Sequence, residues 1–159
     1  MPIKVLFICH GNICRSPMCE FIFKDLVEKA HLEQDFYIES RATHTDEIWN
    51  GQGNPVYPPA KAKLAEHGIS CKGKRAQLLT KADYAEFDYI IGMDDLNARW
   101  MPRILGGDPE GKVSLLLDFT NNPRGVADPW YMRDFETTYR DVVEGCTAFL
   151  EFLRSKGVV

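Results

Sequence analysis

The chain has 159 residues, 45% apolar and 26% charged, ordinary proportions for a globular protein whose length suits a single domain (1–159) around one core. A formal charge of -4 argues against a nucleic-acid or anionic-membrane binder, because both need a basic surface that gains from counterion release. The longest apolar run, residues 5–9, is far short of a membrane span, and the chain opens without a signal-peptide pattern, so a cytoplasmic location is expected.

Ile3 to Cys9 is almost continuously apolar and rich in β-branched and aromatic residues, which predicts a strand buried on both faces of a parallel sheet. The run breaks at Gly11. From Pro17 onward Ile22, Phe23, Leu26, Val27 and Ala30 fall on one helical stripe, with Ser16 placed as N-cap and Pro17 as first helical residue. Phe36 to Ser40 is a short strand, residues 50–59 read as loop, and Pro58 to His67 reads as a helix closed by Gly68 in a left-handed cap. Thr80 and Asp83 resemble a capping box opening a short helix, and Tyr89 to Met93 and Val113 to Leu117 are two further strands around a loop at 106–111. Phe135, Tyr139, Val142, Val143, Cys146, Phe149, Leu150 and Leu153 then repeat at helical spacing. Such alternation predicts an α/β fold: a doubly wound, four-stranded parallel sheet in flavodoxin-like order, with right-handed crossovers and helices on both faces. Ligands of such sheets sit beyond the carboxyl ends of the strands where the winding reverses, and the first strand ends at Cys9.

The five cysteines, Cys9, Cys14, Cys19, Cys71 and Cys146, are odd in number and lack disulfide-framework spacing, which predicts reduced thiols. No Cys-x2-Cys pair or histidine cluster has zinc-ligand spacing, so no metal is expected.

The segment Cys9-His10-Gly11-Asn12-Ile13-Cys14-Arg15-Ser16 joins a buried strand to a helix start, where backbone N–H groups are free to face an anion. Gly11 and Asn12 tolerate the positive φ that a loop wrapped around an anion requires. Arg15 offers a planar fork for two phosphate oxygens. The same positive field favours thiolate over thiol at Cys9, so anion binding and nucleophile activation share one cause. A bare Cys-x5-Arg also describes a buried strand-end cysteine beside a surface arginine. Context separates the two readings: of the five cysteines only Cys9 has Arg six positions on, ends a strand, and faces a Ser-Pro helix start.

Cys-His-Gly-Asn-Ile-Cys-Arg-Ser-Pro resembles the signature of low-molecular-weight protein tyrosine phosphatases, and Asp128-Pro129-Trp130-Tyr131 resembles their second motif at the family's separation. The likeness extends along the chain through Glu66-His67-Gly68-Ile69, Met93-Asp94 and Asp134-Phe135-Glu136. The resemblance implies a metal-independent, cofactor-free phosphatase acting on phosphotyrosine proteins and releasing inorganic phosphate. It assigns Cys9 as nucleophile, Arg15 as phosphate clamp and Asp128 as general acid, with Asn12 and Ser16 shaping the loop and His10, Gly11, Ile13 and Cys14 completing it. Read without the family, Asp128-Pro129 marks a solvated turn. The resemblance also places Trp49, Asn50, Tyr57, Trp130 and Tyr131 around a slot for a phenyl ring, and makes Cys14 a disulfide partner for an oxidised Cys9. Two positions depart from it: Tyr57 stands where animal members carry an acid, and Lys74 where many members carry a histidine bracing the loop.

Three other functions fit parts of this pattern. Arsenate reduction needs two more relay cysteines, and only Cys71 lies in the middle of the chain. Phosphoarginine hydrolysis is carried out by relatives with threonine at the position of Ile13. A phosphopeptide-binding module would need neither a nucleophile nor an acid.

Overall fold

The computed structural model describes residues 1–159 apart from the side chain of Met132. The first apolar run forms β1 (Ile3–Cys9), followed by α1 (Arg15–Lys29) and β2 (Phe36–Ala42). A small hairpin, β3 (Ile48–Trp49) and β4 (Gln52–Gly53), precedes α2 (Pro58–Glu66) and the short α3 (Asp83–Glu86). β5 (Tyr89–Gly92), α4 (Asp95–Leu105), β6 (Val113–Leu115), the one-turn α5 (Pro129–Met132) and the long α6 (Phe135–Ser155) complete the chain.

The main sheet has order β2-β1-β5-β6 and every pairing is parallel. β1 alternates between two cores. Val5, Phe7 and Cys9 pack with residues of α1, α2 and α6, while Leu6 and Ile8 pack with Leu79, Phe87, Ile90, Met101 and Leu105. Helices therefore cover both faces, as a strand apolar on both sides requires. The winding goes outward from β1 to β2 and then returns to β5 on the other side of β1. The crevice beyond the ends of β1 and β5 is the switch point, and Cys9 and Asp94 lie beside it.

Several boundaries differ from the sequence reading. Helix α1 begins at Arg15 with Cys14 at the N-cap position, so Ser16 is not the cap; its first bond runs from Met18 N to Cys14 O at 3.0 Å. The Ser16 hydroxyl is occupied with Cys9 and Asn12 instead. The stretch read wholly as loop at 50–59 contains the hairpin's second strand, because Asn50 and Gly51 have φ of 50° and 74° and form its turn. Thr80 and Asp83 make half of a capping box: Asp83 accepts from the Thr80 amide at 2.9 Å, but no side chain caps α3. Gly68 has φ of 73° just beyond α2, as expected of a left-handed cap. Among the described residues, no helix is long and apolar enough to cross a membrane.

Candidate active site

Beyond β1, the segment from Cys9 to Ser16 curls over the start of α1. Asn12 sits at φ 60° and is almost wholly buried. Its carboxamide is fully engaged: Nδ2 donates to Ser16 Oγ at 2.8 Å and Ser40 Oγ at 3.0 Å, and Oδ1 accepts from Gln77 N at 3.0 Å. Because Ser16 Oγ accepts from Asn12, its hydrogen is free for Cys9 Sγ, 3.0 Å away. Asn12 N donates to the same sulfur at 3.3 Å. Two donors thus converge on Cys9, an arrangement that favours negative charge there.

A polar chain supports the loop from below. Ser40 Oγ donates to Glu20 Oε1 at 2.6 Å, and the Glu20 carboxylate pairs with Lys24 Nζ at 2.7 Å and Lys74 Nζ at 3.3 Å. Lys74 Nζ also donates to Ser40 O at 2.9 Å. Burial pushes the Lys74 amine down and the Glu20 charge opposes it, with burial prevailing. The departure from histidine at position 74 thus leaves a direct cationic partner for a buried carboxylate.

Arg15 is 4% exposed and reaches the cleft from the first turn of α1. Its Nη1 donates to Asp94 Oδ2 at 2.7 Å and Val126 O at 3.2 Å, and its Nη2 lies 3.5 Å from Asp128 Oδ2. Burial opposes its charge, but the neighbouring Cys9 and the Asp94 carboxylate outweigh burial and raise it. Asp94 has a second task, because its Oδ1 caps α4 by accepting from Asn97 N at 2.9 Å. Burial raises the Asp94 carboxyl, but the Asn97 amide and the Arg15 guanidinium overcome it and hold it below the usual carboxylate range.

Asp128 is the N-cap of α5 and accepts from Trp130 N at 3.0 Å. The loop carrying it is held by α6, since Asp141 accepts from Ala127 N at 2.9 Å and Thr138 Oγ1 donates to Ala127 O at 2.8 Å. Cys14 is buried in the cleft lining, its thiol pushed up to about 12 by burial and then by the charges of Cys9 and Asp128, so it stays neutral at ordinary pH.

These groups surround one cleft of about 360 Å³, lined by Cys9, His10, Gly11, Ile13, Cys14 and Arg15 of the loop, by Asp128, Trp130 and Tyr131, and by Asp46, Glu47, Asp94, Leu96 and Asn97. Every member of the first motif except Asn12, Ser16 and Pro17 lines it, and Asn12 and Ser16 bond the sulfur from behind. Trp49 and Asn50 do not line it; they lie at the exposed tip of the hairpin, Trp49 being 79% exposed. Tyr57 backs the wall, its ring 5.1 Å from that of Trp130. The carboxylates Asp46, Glu47 and Asp94, and the support of Glu20 and Ser40, are absent from the site read in the sequence, which placed only Lys74 of this polar chain at a position bracing the loop. The Asp-x-x-Asn spacing at 94–97 was a usable signal, marking a helix start with an acid at its cap.

The profile of the family described as low molecular weight phosphotyrosine protein phosphatase matches residues 4–159. The chain belongs to that family. The phosphatase is 39% identical over 153 residues to the low molecular weight phosphotyrosine protein phosphatase of Gallus gallus, covering 93% of this chain and 94% of the relative. Its fold superposes on the crystal structure of YfkJ from Bacillus subtilis with a TM-score of 0.91 at 34% identity, covering 98% of this chain and 97% of the other. DARP, a Drosophila arginine phosphatase, is similar at a TM-score of 0.83 and 30% identity, covering 96% and 98%.

Proposed function

We propose that this phosphatase hydrolyses phosphotyrosine through a phosphocysteine on Cys9. The carrying observation is the convergence on one cleft of a sulfur that accepts two hydrogen bonds, a buried guanidinium and a carboxylate held 3.5 Å from that guanidinium. Cys9 Sγ attacks phosphorus opposite the phenolic oxygen while Asp128 gives that oxygen a proton, so tyrosine leaves neutral. Water then attacks the phosphocysteine, the same carboxylate takes its proton, and inorganic phosphate departs. Arg15 and the loop amides neutralise the equatorial oxygens throughout, the part a metal ion plays in nucleotide-dependent phosphoryl transfer. Trp130 and Tyr131 offer aromatic faces to the phenyl ring.

The likeness to an arginine phosphatase makes phosphoarginine the second reading. Ile13 weighs against it: buried with Cys14 and Ala76, it has no hydroxyl to orient water onto a phosphoramidate. Rates on phosphotyrosine and phosphoarginine peptides decide, the first expected to be higher. Hydrolysis of p-nitrophenyl phosphate in excess EDTA tests the mechanism: activity resists the chelator, Cys9→Ser and Arg15→Ala abolish it, and Asp128→Asn reduces it severely but less. Loss of activity with EDTA, or a fully active Cys9→Ser, overturns the reading.

Cys14 takes the role of resolving thiol. Hydrogen peroxide converts the Cys9 thiolate to a sulfenic acid with release of hydroxide. The Cys14 thiol then attacks that sulfur, forming the disulfide and releasing water.

A further inference from the structure

A second cleft, of about 500 Å³, opens between α2 and the segment 71–74. Pro55, Val56 and Pro58 give it an apolar lining together with Ala62 and Ala65 of α2, a size and surface suited to a small molecule. No carboxylate lines it among the described residues. Its charged members are Lys61, Lys72 and Lys74, in a chain whose formal charge is -4. Lys74 is engaged, since its ammonium donates to Ser40 O and pairs with Glu20. Lys61 and Lys72 are not: among the described residues, no carboxylate oxygen lies within 4.0 Å of either ammonium. Burial pushes the Cys71 thiol up, and the Lys61 charge is the chief influence opposing it, which places that ammonium near the buried thiol within the same cleft.

Both walls of this cleft are bonded to the phosphate loop of the active site. Between Val56 and Pro58, Tyr57 N donates to Ile13 O at 2.9 Å. From the opposite wall Lys74 Nζ donates to Ser40 O at 2.9 Å, and Ser40 Oγ accepts from Asn12 Nδ2 at 3.0 Å. Pro55 and Arg75 bridge the two walls at one end. A molecule seated between the walls would hold the rest of the two segments together and so restrain the loop from two directions.

We propose that this cleft is an effector site for a small organic anion, with an apolar body against the prolines and Ala62 and an acidic group held by Lys61 and Lys72, and that filling it raises turnover at Cys9. The occupant is anionic because two ammoniums without counter-charge face a lining that offers no acid. It is apolar elsewhere because the remaining surface is mostly proline, valine and alanine. A loop held more firmly on two sides keeps Cys9 and its donors aligned for more of the time, which is the source of a gain in kcat. The site acts on the phosphatase whichever of the two phosphoryl groups considered above it removes.

The probe is anilinonaphthalene sulfonate, an aromatic anion that fluoresces on leaving water. With inorganic phosphate saturating the active cleft, the native protein is expected to bind a single dye per chain. Lys61→Gln/Lys72→Gln weakens that binding about tenfold, the size of two exposed ion pairs lost. Ala62→Trp, at an exposed position of α2, abolishes it by filling the space. A partly unfolded variant would bind more dye, so loss of fold does not imitate the expected result. At saturating p-nitrophenyl phosphate, which keeps dye out of the active cleft, dye raises kcat of the native protein about twofold. Lys61→Gln/Lys72→Gln, as active as the native protein without dye, shows no such rise. Dye binding that phosphate prevents, equal affinity in the double variant, or a native kcat that dye lowers or leaves unmoved overturns the inference.

Discussion

With φ at 60° and both Nδ2 hydrogens and the Oδ1 of its carboxamide engaged, Asn12 holds Ser16, Ser40 and the Gln77 amide in place at once. Asn12→Ala leaves those groups unpaired in a buried setting, a cost of about 2 kcal/mol. It also loosens the donor on Cys9, lowering kcat by up to about 100-fold. Urea denaturation and p-nitrophenyl phosphate assays read the two effects separately. Glu20→Gln acts one step further back. It strands Lys74 without its counter-charge and should cost about 3 kcal/mol, part of which the double variant Glu20→Gln/Lys74→Met recovers. Cys14 makes a chemical prediction: brief peroxide treatment of the native protein yields a Cys9 to Cys14 crosslink by mass spectrometry and activity that thiols restore. The Cys14→Ser variant yields neither, because the loop then holds no second sulfur to resolve the oxidised Cys9.

Among the elements, α4 illustrates how acid acts on the site. The Asp94 carboxyl is held below its usual range when folded, so it contributes stability above its unfolded value, and that contribution is lost as pH falls through the folded one. The advantage of the native protein over Asp94→Asn in urea denaturation should therefore shrink from about pH 5 downward. An advantage that is constant down to low pH would contradict the assignment. Elements also divide what could be read from sequence. The strands were legible because apolar runs need no partner to be recognised, and α6 because its stripe lasts many turns. The start of α1 was misread because Ser16-Pro17 has the composition of a cap while its hydroxyl serves a residue seven positions earlier. The hairpin at 48–53 was hidden by reading Asn50-Gly51 as general loop composition when it is a turn type with its own strands.

Across the whole molecule, α6 joins the core to the site. Phe149 touches the rings of Phe23, Tyr89, Phe119 and Phe152, and the same helix holds the Asp128 loop through Thr138 and Asp141. Phe149→Ala should cost about 4 kcal/mol. At this chain length that lowers Tm by roughly 10 °C, measurable by calorimetry. Of the site, the sequence revealed the groups adjacent in the loop and, through resemblance, the distant Asp128. Contacts such as Arg15 to Asp94, spanning 79 residues, stayed hidden because no local pattern encodes which strand end faces which. The two oxygens of Asp94 carry a final implication: one terminates a helix and the other steadies the guanidinium. Any drift at position 94 is thus screened twice, once for fold integrity and again for turnover, so variants that survive there must reinvent both arrangements together.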